Sequence, residues 1–331
     1  MFKTYAIIGT GAVGGFYGAK LQHSGKDVHF LFNKDYEYVI KNGLSIKSVD
    51  GNFDLPHINA YNHVEEMPDC DVVVVALKTT QNHLLKKFLP AVLKDEGIVL
   101  LLQNGLGIEE EIAQIIKHQT IISGLCFLCS NKVSPGQINH IAYGKILLAQ
   151  YAQNNFYGIT DKMQSIADDF ENAGIQIELA PDLNLARWKK LVWNIPYNGL
   201  SVILNATTEE LMTNPYSYEL LKSVMSEVVM GAKSVGCMIP DDFIPGMLDY
   251  TSKMKPYRTS MKIDYDTGRT LEVEAIFGNP LRRANSEGVD LPLINCLYQQ
   301  LKFLNLKNVV LVNRGMIMRK CDDSKGGGAL T

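Results

Sequence analysis

The fold is decided near the start of the chain by the stretch Tyr5-Ala6-Ile7-Ile8-Gly9-Thr10-Gly11-Ala12-Val13-Gly14. Its apolar residues predict a short buried β-strand, and its glycines follow the spacing GxGxxG before a helix-forming segment. In such a turn Gly9 allows the tight bend, Gly11 lets the backbone approach a diphosphate, and Gly14 lets helix and strand pack closely. The helix N-terminus favours an anion. The stretch therefore predicts a dinucleotide-binding βαβ unit.

The rest of the chain changes character near residue 180. The first half alternates apolar runs with helix-forming segments, which is typical of a parallel sheet covered by helices on both faces. Within it, residues 71–77 form a valine-rich run that predicts a strand buried on both sides. We therefore expect an α/β Rossmann-type doubly wound sheet over residues 1–180, an all-α domain over 181–307, and a tail of uncertain structure over 308–331.

The helical periodicity of the chain predicts the positions of individual helices. In the first half we expect helices over 12–24, 80–93, 107–116 and 161–173. In the second half we expect helices over 185–204, 216–235, 241–253, 271–287 and 291–304. The segment 136–150 predicts a meandering β region, and the glycine-rich segment 324–328 predicts a flexible end.

Composition excludes several classes of function. The net charge of -3 over 331 residues gives no reason to expect nucleic acid or an anionic membrane as a partner. No apolar run approaches the ~18 residues that a transmembrane helix needs. The first apolar stretch is too short for a signal peptide and leads directly into the glycine turn. We expect a cytoplasmic protein whose partner is a small molecule.

Two of the six cysteines, Cys126 and Cys129, have the CxxC spacing of redox and metal sites. They lie in an apolar run that predicts a strand, where side chains three residues apart point to opposite faces. No second Cys or His pair follows at the spacing of a zinc site. We interpret both as core cysteines and expect no metal.

The end of the second strand, predicted over 27–32, indicates which nicotinamide cofactor is used. An acidic side chain there binds the ribose 2′-hydroxyl of NAD and repels a 2′-phosphate. Here Asn33 takes that position and Lys34 follows it, which favours NADP. This interpretation requires that Lys34 faces the ribose and that Asp35 does not.

Two further strand ends carry candidate cofactor ligands. Lys78 directly follows the run 71–77, and Asn104 follows the strand predicted at 98–102. Ligands of open α/β sheets bind outside the carboxyl ends of the strands, so both side chains could contact the cofactor. A solvated lysine and an asparagine that shapes a turn are equally good interpretations from the residues alone.

A polar row on the first helix of the second half is the candidate for the chemistry. Lys190, Asn194 and Asn198 are four residues apart and therefore share one helix face, although their neighbours are apolar. The row either faces solvent or lines a cleft in which the lysine supplies a proton and the amides orient a substrate. Pro196 removes a backbone donor and could kink the helix before Asn198.

The motifs named above, in their order and spacing, resemble those of ketopantoate reductases (2-dehydropantoate 2-reductases). The matching motifs are Gly9-Thr10-Gly11-Ala12-Val13-Gly14, Leu77-Lys78, Gln103-Asn104-Gly105, Lys190-Leu191-x-x-Asn194-x-x-x-Asn198, and Thr259-Ser260-Met261-x-x-Asp264 followed by Glu272. The resemblance covers about residues 1–305. The sequence departs from the family at Asn33, where the family often has arginine.

The resemblance implies roles for the residues of the helical half. Lys190 is similar to the general acid that protonates the ketone oxygen, and Glu272 to the carboxylate that orients this lysine and contacts the substrate hydroxyl. Asn194 and Asn198 resemble the ligands of the substrate hydroxyl and carbonyl, and Ser260 the group that holds the substrate carboxylate. A lysine near the ketone stabilises the negative charge that develops on oxygen.

On the cofactor side, the resemblance implies an NADP(H) site. The residues it assigns there are Gly9, Thr10, Gly11, Ala12, Val13, Gly14, Asn33, Lys34, Lys78 and Asn104. The leading hypothesis is NADPH-dependent reduction of 2-dehydropantoate to pantoate, a step toward pantothenate and coenzyme A. The alternatives are a related reductase of another small 2-keto acid and a non-catalytic NADP-sensing protein. The sequence is compatible with a monomer or a homodimer.

Overall fold

The computed structural model of the chain describes residues 3–152 and 158–325. It consists of two compact units, Met1–Arg187 and Trp188–Thr331. The first unit contains the sheet, and the described part of the second unit contains helices and no strand. The predicted fold class, a Rossmann-type sheet followed by an all-α region, is confirmed.

The first unit is built on one mixed sheet of ten strands. In chain order the strands are β1 (Thr4–Ile8), β2 (Asp27–Leu31), β3 (Leu44–Ser48), β4 (Phe53–Leu55), β5 (Asn59–Tyr61), β6 (Cys70–Val75), β7 (Leu93–Leu101), β8 (Thr120–Ser134), β9 (Gln137–Gln150) and β10 (Ile177–Leu179). Their spatial order is β4-β3-β9-β8-β7-β6-β1-β2-β5, with β10 on β9. Strands β5, β2, β1, β6, β7 and β8 are parallel. Their carboxyl ends therefore meet at one edge.

The predicted double burial of the valine-rich strand is confirmed. On β6, Val72 and Val74 pack into one hydrophobic core, and Val73 and Val75 pack into another. The two cores lie on opposite faces because successive side chains of a strand alternate. The helices of this unit are α1 (Ala12–His23), α2 (Tyr36–Asn42), α3 (Leu85–Val92), α4 (Ile108–Ala113) and α5 (Asp161–Asn172).

The helical unit contains helices of very different length. They are α6 (Leu183–Ile203, which begins in the first unit), α7 (Thr208–Thr213), α8 (Pro215–Ser234), α9 (Phe243–Ser252), α10 (Ser260–Asp266), α11 (Asn279–Ser286) and α12 (Pro292–Lys325). A π-helix, Glu274–Gly278, precedes α11. Among the helices that the structure describes, none has the length and apolar character that a membrane span requires.

Three of the predicted helices differ clearly in the structure. The helix expected over 80–93 is a 3₁₀ helix, Thr79–Leu84, followed by the shorter α3. The helix expected over 271–287 starts as a π-helix. Helix α12 continues well beyond the expected end at residue 304, through a segment in which no proline interrupts the chain. The glycines of the expected flexible end, residues 326–328, lie outside the described residues.

The segment 136–150 and the CxxC pair belong to one long hairpin. Instead of a meander, 137–150 form the single strand β9, which pairs antiparallel with β8. Cys126 and Cys129 both lie on β8; Cys129 is buried and Cys126 is half-buried against the core. The described residues contain no group of three or more His, Cys, Asp or Glu side chains arranged for a metal ion.

Candidate active site

The glycine turn between β1 and α1 is packed tightly against the end of β6. Gly9 has a φ of +100°, and a Cβ there would lie 2.4 Å from the backbone nitrogen of Leu77. A Cβ on Gly14 would lie 2.4 Å from the carbonyl oxygen of Gly9. Both positions therefore exclude a side chain for reasons of packing. Gly11 differs, because a Cβ there would meet nothing within 4 Å.

The N-terminus of α1 is open to an anion. Its N-cap residue, Gly11, offers no side-chain cap, and the first turn holds no acidic residue. The nearby hydroxyl of Thr10 instead donates to the carbonyl of Leu31, at 2.9 Å, and so ties the turn to the end of β2. The free N–H groups and the helix dipole favour negative charge there. This turn fits the diphosphate of a dinucleotide.

The two glycines Gly11 and Gly14 give a test of this interpretation. We expect Gly11→Ala to leave the free energy of unfolding within about 0.5 kcal/mol of the wild type, as an unhindered substitution does. It should nevertheless weaken NADPH binding at least about tenfold, because its methyl group takes the space of the diphosphate. Gly14→Ala should lower stability by about 1–3 kcal/mol, because its methyl group overlaps the backbone.

Chemical unfolding and fluorescence titration with NADPH measure the two effects separately. If Gly11→Ala binds NADPH as well as the wild-type protein does, the diphosphate does not lie on this turn.

At the end of β2, the structure separates the three polar residues that follow the strand. Asn33 and Lys34 are exposed, whereas Asp35 is 8% exposed. The Asp35 carboxylate accepts a hydrogen bond from the backbone N–H of Gly136, at 3.3 Å, and forms an ion pair with Lys132. These contacts hold Asp35 against the β8–β9 hairpin. The acidic group that could have selected NAD is thus already engaged.

The ends of β6 and β7 are joined by a side chain. Gln103, the residue before Asn104, donates from Nε2 to the carbonyl of Leu77 at 2.8 Å, and Leu77 precedes Lys78. Asn104 is half-buried and is followed by Gly105, whose φ of +110° allows the turn. The structure therefore brings the two strand ends that carry Lys78 and Asn104 together.

A buried ion pair lies next to this turn. The Arg187 guanidinium donates to the Glu109 carboxylate from Nε at 2.8 Å and from Nη2 at 2.5 Å. It also donates to the Ser123 hydroxyl, at 3.1 Å, and to the Gln103 carbonyl, at 2.7 Å. Arg187 and Glu109 are only 2% and 3% exposed. Sequence reasoning missed this network.

In the helical unit, the polar row of α6 is mostly buried. Helix α6 continues through Pro196, so Lys190, Asn194 and Asn198 share one face as predicted. Lys190 is half-buried, while Asn194 and Asn198 are 7% and 2% exposed. The Asn198 Oδ1 atom has no hydrogen-bond partner. A solvated face does not explain a buried carbonyl of this kind, whereas a ligand that donates a hydrogen bond does.

Ser260 is connected to the same part of α6. It is the first residue of α10, directly after the N-cap residue Thr259. The Thr259 hydroxyl lies 2.8 Å from the Ser201 hydroxyl. The Ser201 hydroxyl donates to the backbone carbonyl of Asn198, at 3.2 Å. These hydrogen bonds fix the start of α10 beside the C-terminal turns of α6.

Glu272 lies two residues before the π-helix and is 5% exposed. The π-helix packs closely on α6, because a Cβ on Gly199 would lie 3.2 Å from the Phe277 ring.

The first residue of the π-helix, Glu274, is a strongly paired carboxylate. Partial burial raises the pKa of Glu274, but hydrogen bonds from Lys302, Tyr298 and Arg282 outweigh the effect of burial and lower this pKa to about 2.

Two family profiles match the chain. "Ketopantoate reductase PanE/ApbA" matches residues 5–153, and "Ketopantoate reductase PanE/ApbA C terminal" matches residues 182–305. Together they cover most of the chain, in the expected order.

The chain belongs to the ketopantoate reductase family.

Individual ketopantoate reductases are similar over nearly their whole length. A 2-dehydropantoate 2-reductase of Nostoc sp. (strain PCC 7120) is 65% identical over 307 residues, which are 92% of this chain and 96% of that protein. The crystal structure of 2-dehydropantoate 2-reductase from Geobacter metallireducens superposes with a TM-score of 0.86 at 39% identity, covering 90% and 99% of the two chains. The resemblance inferred from the motifs is confirmed.

The same fold also occurs in a protein named for another substrate. A ternary structure of D-mandelate dehydrogenase with NADH and anilino(oxo)acetate superposes with a TM-score of 0.83, covering 92% of this chain and 99% of that chain. Its sequence identity is 20%, so this likeness concerns the fold alone.

Proposed function

We propose that this ketopantoate reductase family member catalyses the NADPH-dependent reduction of 2-dehydropantoate to pantoate, on the route to pantothenate and coenzyme A. The observation that carries the proposal is the mostly buried Lys190-Asn194-Asn198 row, with its unpartnered Asn198 side-chain carbonyl, in a chain of this family. The 65% identical relative named 2-dehydropantoate 2-reductase supports the same substrate.

NADPH supplies the hydride that adds to the ketone carbon. In the first unit, the turn 9–14 would hold its diphosphate through the N–H groups at the start of α1, while Lys34 would pair with its 2′-phosphate and Asn33 would contact the ribose. Lys78 and Asn104 would contact the cofactor from the ends of β6 and β7. The exposure of Asn33 and Lys34 and the engagement of Asp35 support these roles, because the Asp35 carboxylate is buried and paired with Lys132.

In the helical unit, Lys190 donates a proton from Nζ to the ketone oxygen as the carbon–oxygen double bond is reduced. Its positive charge stabilises the developing alkoxide before the proton moves. Glu272 orients the ammonium group and accepts from a substrate hydroxyl. Asn194 and Asn198 together bind the hydroxyl and the carbonyl, with the Asn198 Oδ1 atom accepting from the hydroxyl, and Ser260 holds the substrate carboxylate.

The experiment that tests this function follows NADPH absorbance with 2-dehydropantoate beside a panel of other small 2-keto acids. We expect 2-dehydropantoate to give the highest kcat/KM. A higher value for another 2-keto acid would assign the chain to a related reductase, and NADPH binding without any turnover would indicate a sensing protein. Assembly as a monomer or homodimer and a cytoplasmic location stay predictions of the sequence.

Replacing Lys34 tests the cofactor preference. We expect Lys34→Ala to raise KM for NADPH by a factor of about 5 to 30, which corresponds to the loss of one or two kcal/mol. KM for NADH should not change, because NADH has no 2′-phosphate. Lys41→Ala, which removes an exposed lysine from α2, is the matched control. An equal change for both cofactors would place Lys34 away from the 2′-phosphate.

A further inference from the structure

We propose that Gln103 is a positioning residue, which fixes Lys78 and Asn104 relative to each other before the cofactor binds. This inference rests on the proposed roles of those two residues at the cofactor. Neither the motif comparison nor the family resemblance assigned a role to Gln103 itself.

The first support is the place of Gln103 at the end of the sheet. The backbone pairing of β6 and β7 ends at Val75 and Leu101, followed by one hydrogen bond from Leu102 N to the Val75 carbonyl, at 2.9 Å. At the next position the Gln103 side chain continues the connection, with its bond of 2.8 Å to the Leu77 carbonyl. The residues directly before Lys78 and Asn104 are thus bound to each other.

The second support is that the direction of the Gln103 amide is determined by its surroundings. The carboxylate of Glu111, which can only accept, receives a hydrogen bond from Asn82 Nδ2 at 2.8 Å. The Oδ1 atom of Asn82 therefore faces Gln103 and accepts from its Nε2 at 2.7 Å. The Leu77 carbonyl is also an acceptor. Only the NH₂ group of Gln103 satisfies both neighbours.

The third support is that the backbone of Gln103 is held as firmly as its side chain. Its carbonyl accepts from Arg187, which is itself paired with Glu109. Gln103 is 3% exposed, and its Oε1 atom is buried without a hydrogen-bond partner. An unpaired buried carbonyl is unfavourable, so a position that served packing alone would be better filled by an apolar side chain. The donor side of this amide is what the site uses.

The test compares Gln103→Met with Tyr5→Phe. Methionine keeps the approximate size of glutamine but donates no hydrogen bond. We expect kcat/KM for NADPH to fall by about 10- to 100-fold, the scale of a small displacement of positioning groups. Tyr5→Phe also removes a buried hydrogen bond of this unit, from the Tyr5 hydroxyl to Asp169 at 2.5 Å, but at the amino end of β1. It should lower Tm and leave kcat/KM unchanged.

Coupling to Asn104 separates positioning from a general loss of stability. If Gln103 acts through Asn104, the double variant Gln103→Met/Asn104→Ala loses less activity than the product of the two single losses. Multiplicative losses, or a Gln103→Met enzyme as active as Tyr5→Phe, would overturn the inference.

Two further single variants distinguish this failure from a failure of the proposed function. If Lys78→Met and Asn104→Ala both leave KM for NADPH unchanged, the proposed cofactor contacts are wrong and the role of Gln103 falls with them. If they raise KM and Gln103→Met does not, only the positioning role is wrong. Asn82→Leu leaves Gln103 in place but removes one of its hydrogen-bond partners. We expect this variant to lower kcat/KM for NADPH, but by less than Gln103→Met does.

Discussion

Replacing Lys190 with alanine is expected to lower kcat for 2-dehydropantoate reduction by about 10²- to 10⁴-fold, the range that a positioned general acid contributes. Without the ammonium group, the negative charge on the ketone oxygen is neither stabilised nor neutralised as hydride arrives. The rate is measured from NADPH absorbance at saturating concentrations of both substrates. The dissociation constant of NADPH, measured by fluorescence, should not change.

The neighbouring residue Lys189 provides a matched control for this variant. Lys189 is also half-buried on α6, but its Nζ lies 5.7 Å from the centre of the Phe243 ring, in a cation–π contact. We expect Lys189→Ala to retain nearly full kcat. Unchanged turnover in Lys190→Ala would show that another group delivers the proton.

The second large effect concerns stability. We expect Arg187→Met to lower the free energy of unfolding by about 3–5 kcal/mol, because it leaves the Glu109 carboxylate buried without its guanidinium partner. The pair is almost fully inaccessible to water, so solvent does not screen the charge that is left. Urea unfolding at neutral pH, followed by circular dichroism, measures the loss.

Two comparisons decide whether the unpaired charge is the cause. The double variant Arg187→Met/Glu109→Met removes both charges and should recover most of the lost stability. Lys222→Met breaks an exposed pair with Glu219 on α8 and should cost at most about 1 kcal/mol. A loss in Arg187→Met as small as that of Lys222→Met would contradict the prediction.

The parts of the fold that sequence reasoning recovered depend on local patterns. The strand–glycine–helix order around Gly9 and the valine run of β6 are signals contained within a few residues. The α6 row was found in the same way, because Lys190, Asn194 and Asn198 repeat every four residues between the apolar residues Leu191, Val192, Trp193 and Ile195.

The parts that were missed depend on contacts between distant residues. Strand β3 has only five residues and pairs Ser45 with Gln137, far along the chain, and β4 has only three residues, too few to show a periodic pattern. Glu109 belongs to an acidic run at the start of α4, where negative side chains are common and usually solvated. The one available signal was Arg187 at the edge of an apolar stretch, since a buried guanidinium needs a carboxylate.

The π-helix could not be predicted either, because one extra residue per turn leaves almost no trace in hydrophobic periodicity. Its first residue, Glu274, instead accepts hydrogen bonds from Arg282 and from the more distant Tyr298 and Lys302, contacts that the local sequence pattern does not reveal. Glu272, two residues earlier, was identified only through the family resemblance.

The engagement of Asp35 has a consequence for redesign of this enzyme. A carboxylate already stands two residues past the Asn33 position, yet it is fixed by the Gly136 backbone and the Lys132 side chain. Releasing it would loosen the β8–β9 hairpin before it created any preference for NADH. A variant that uses NADH should therefore be sought by introducing an acid at Asn33 together with removal of the Lys34 charge, with Asp35 left as it is. Cofactor exchange and hairpin stability can then be selected independently.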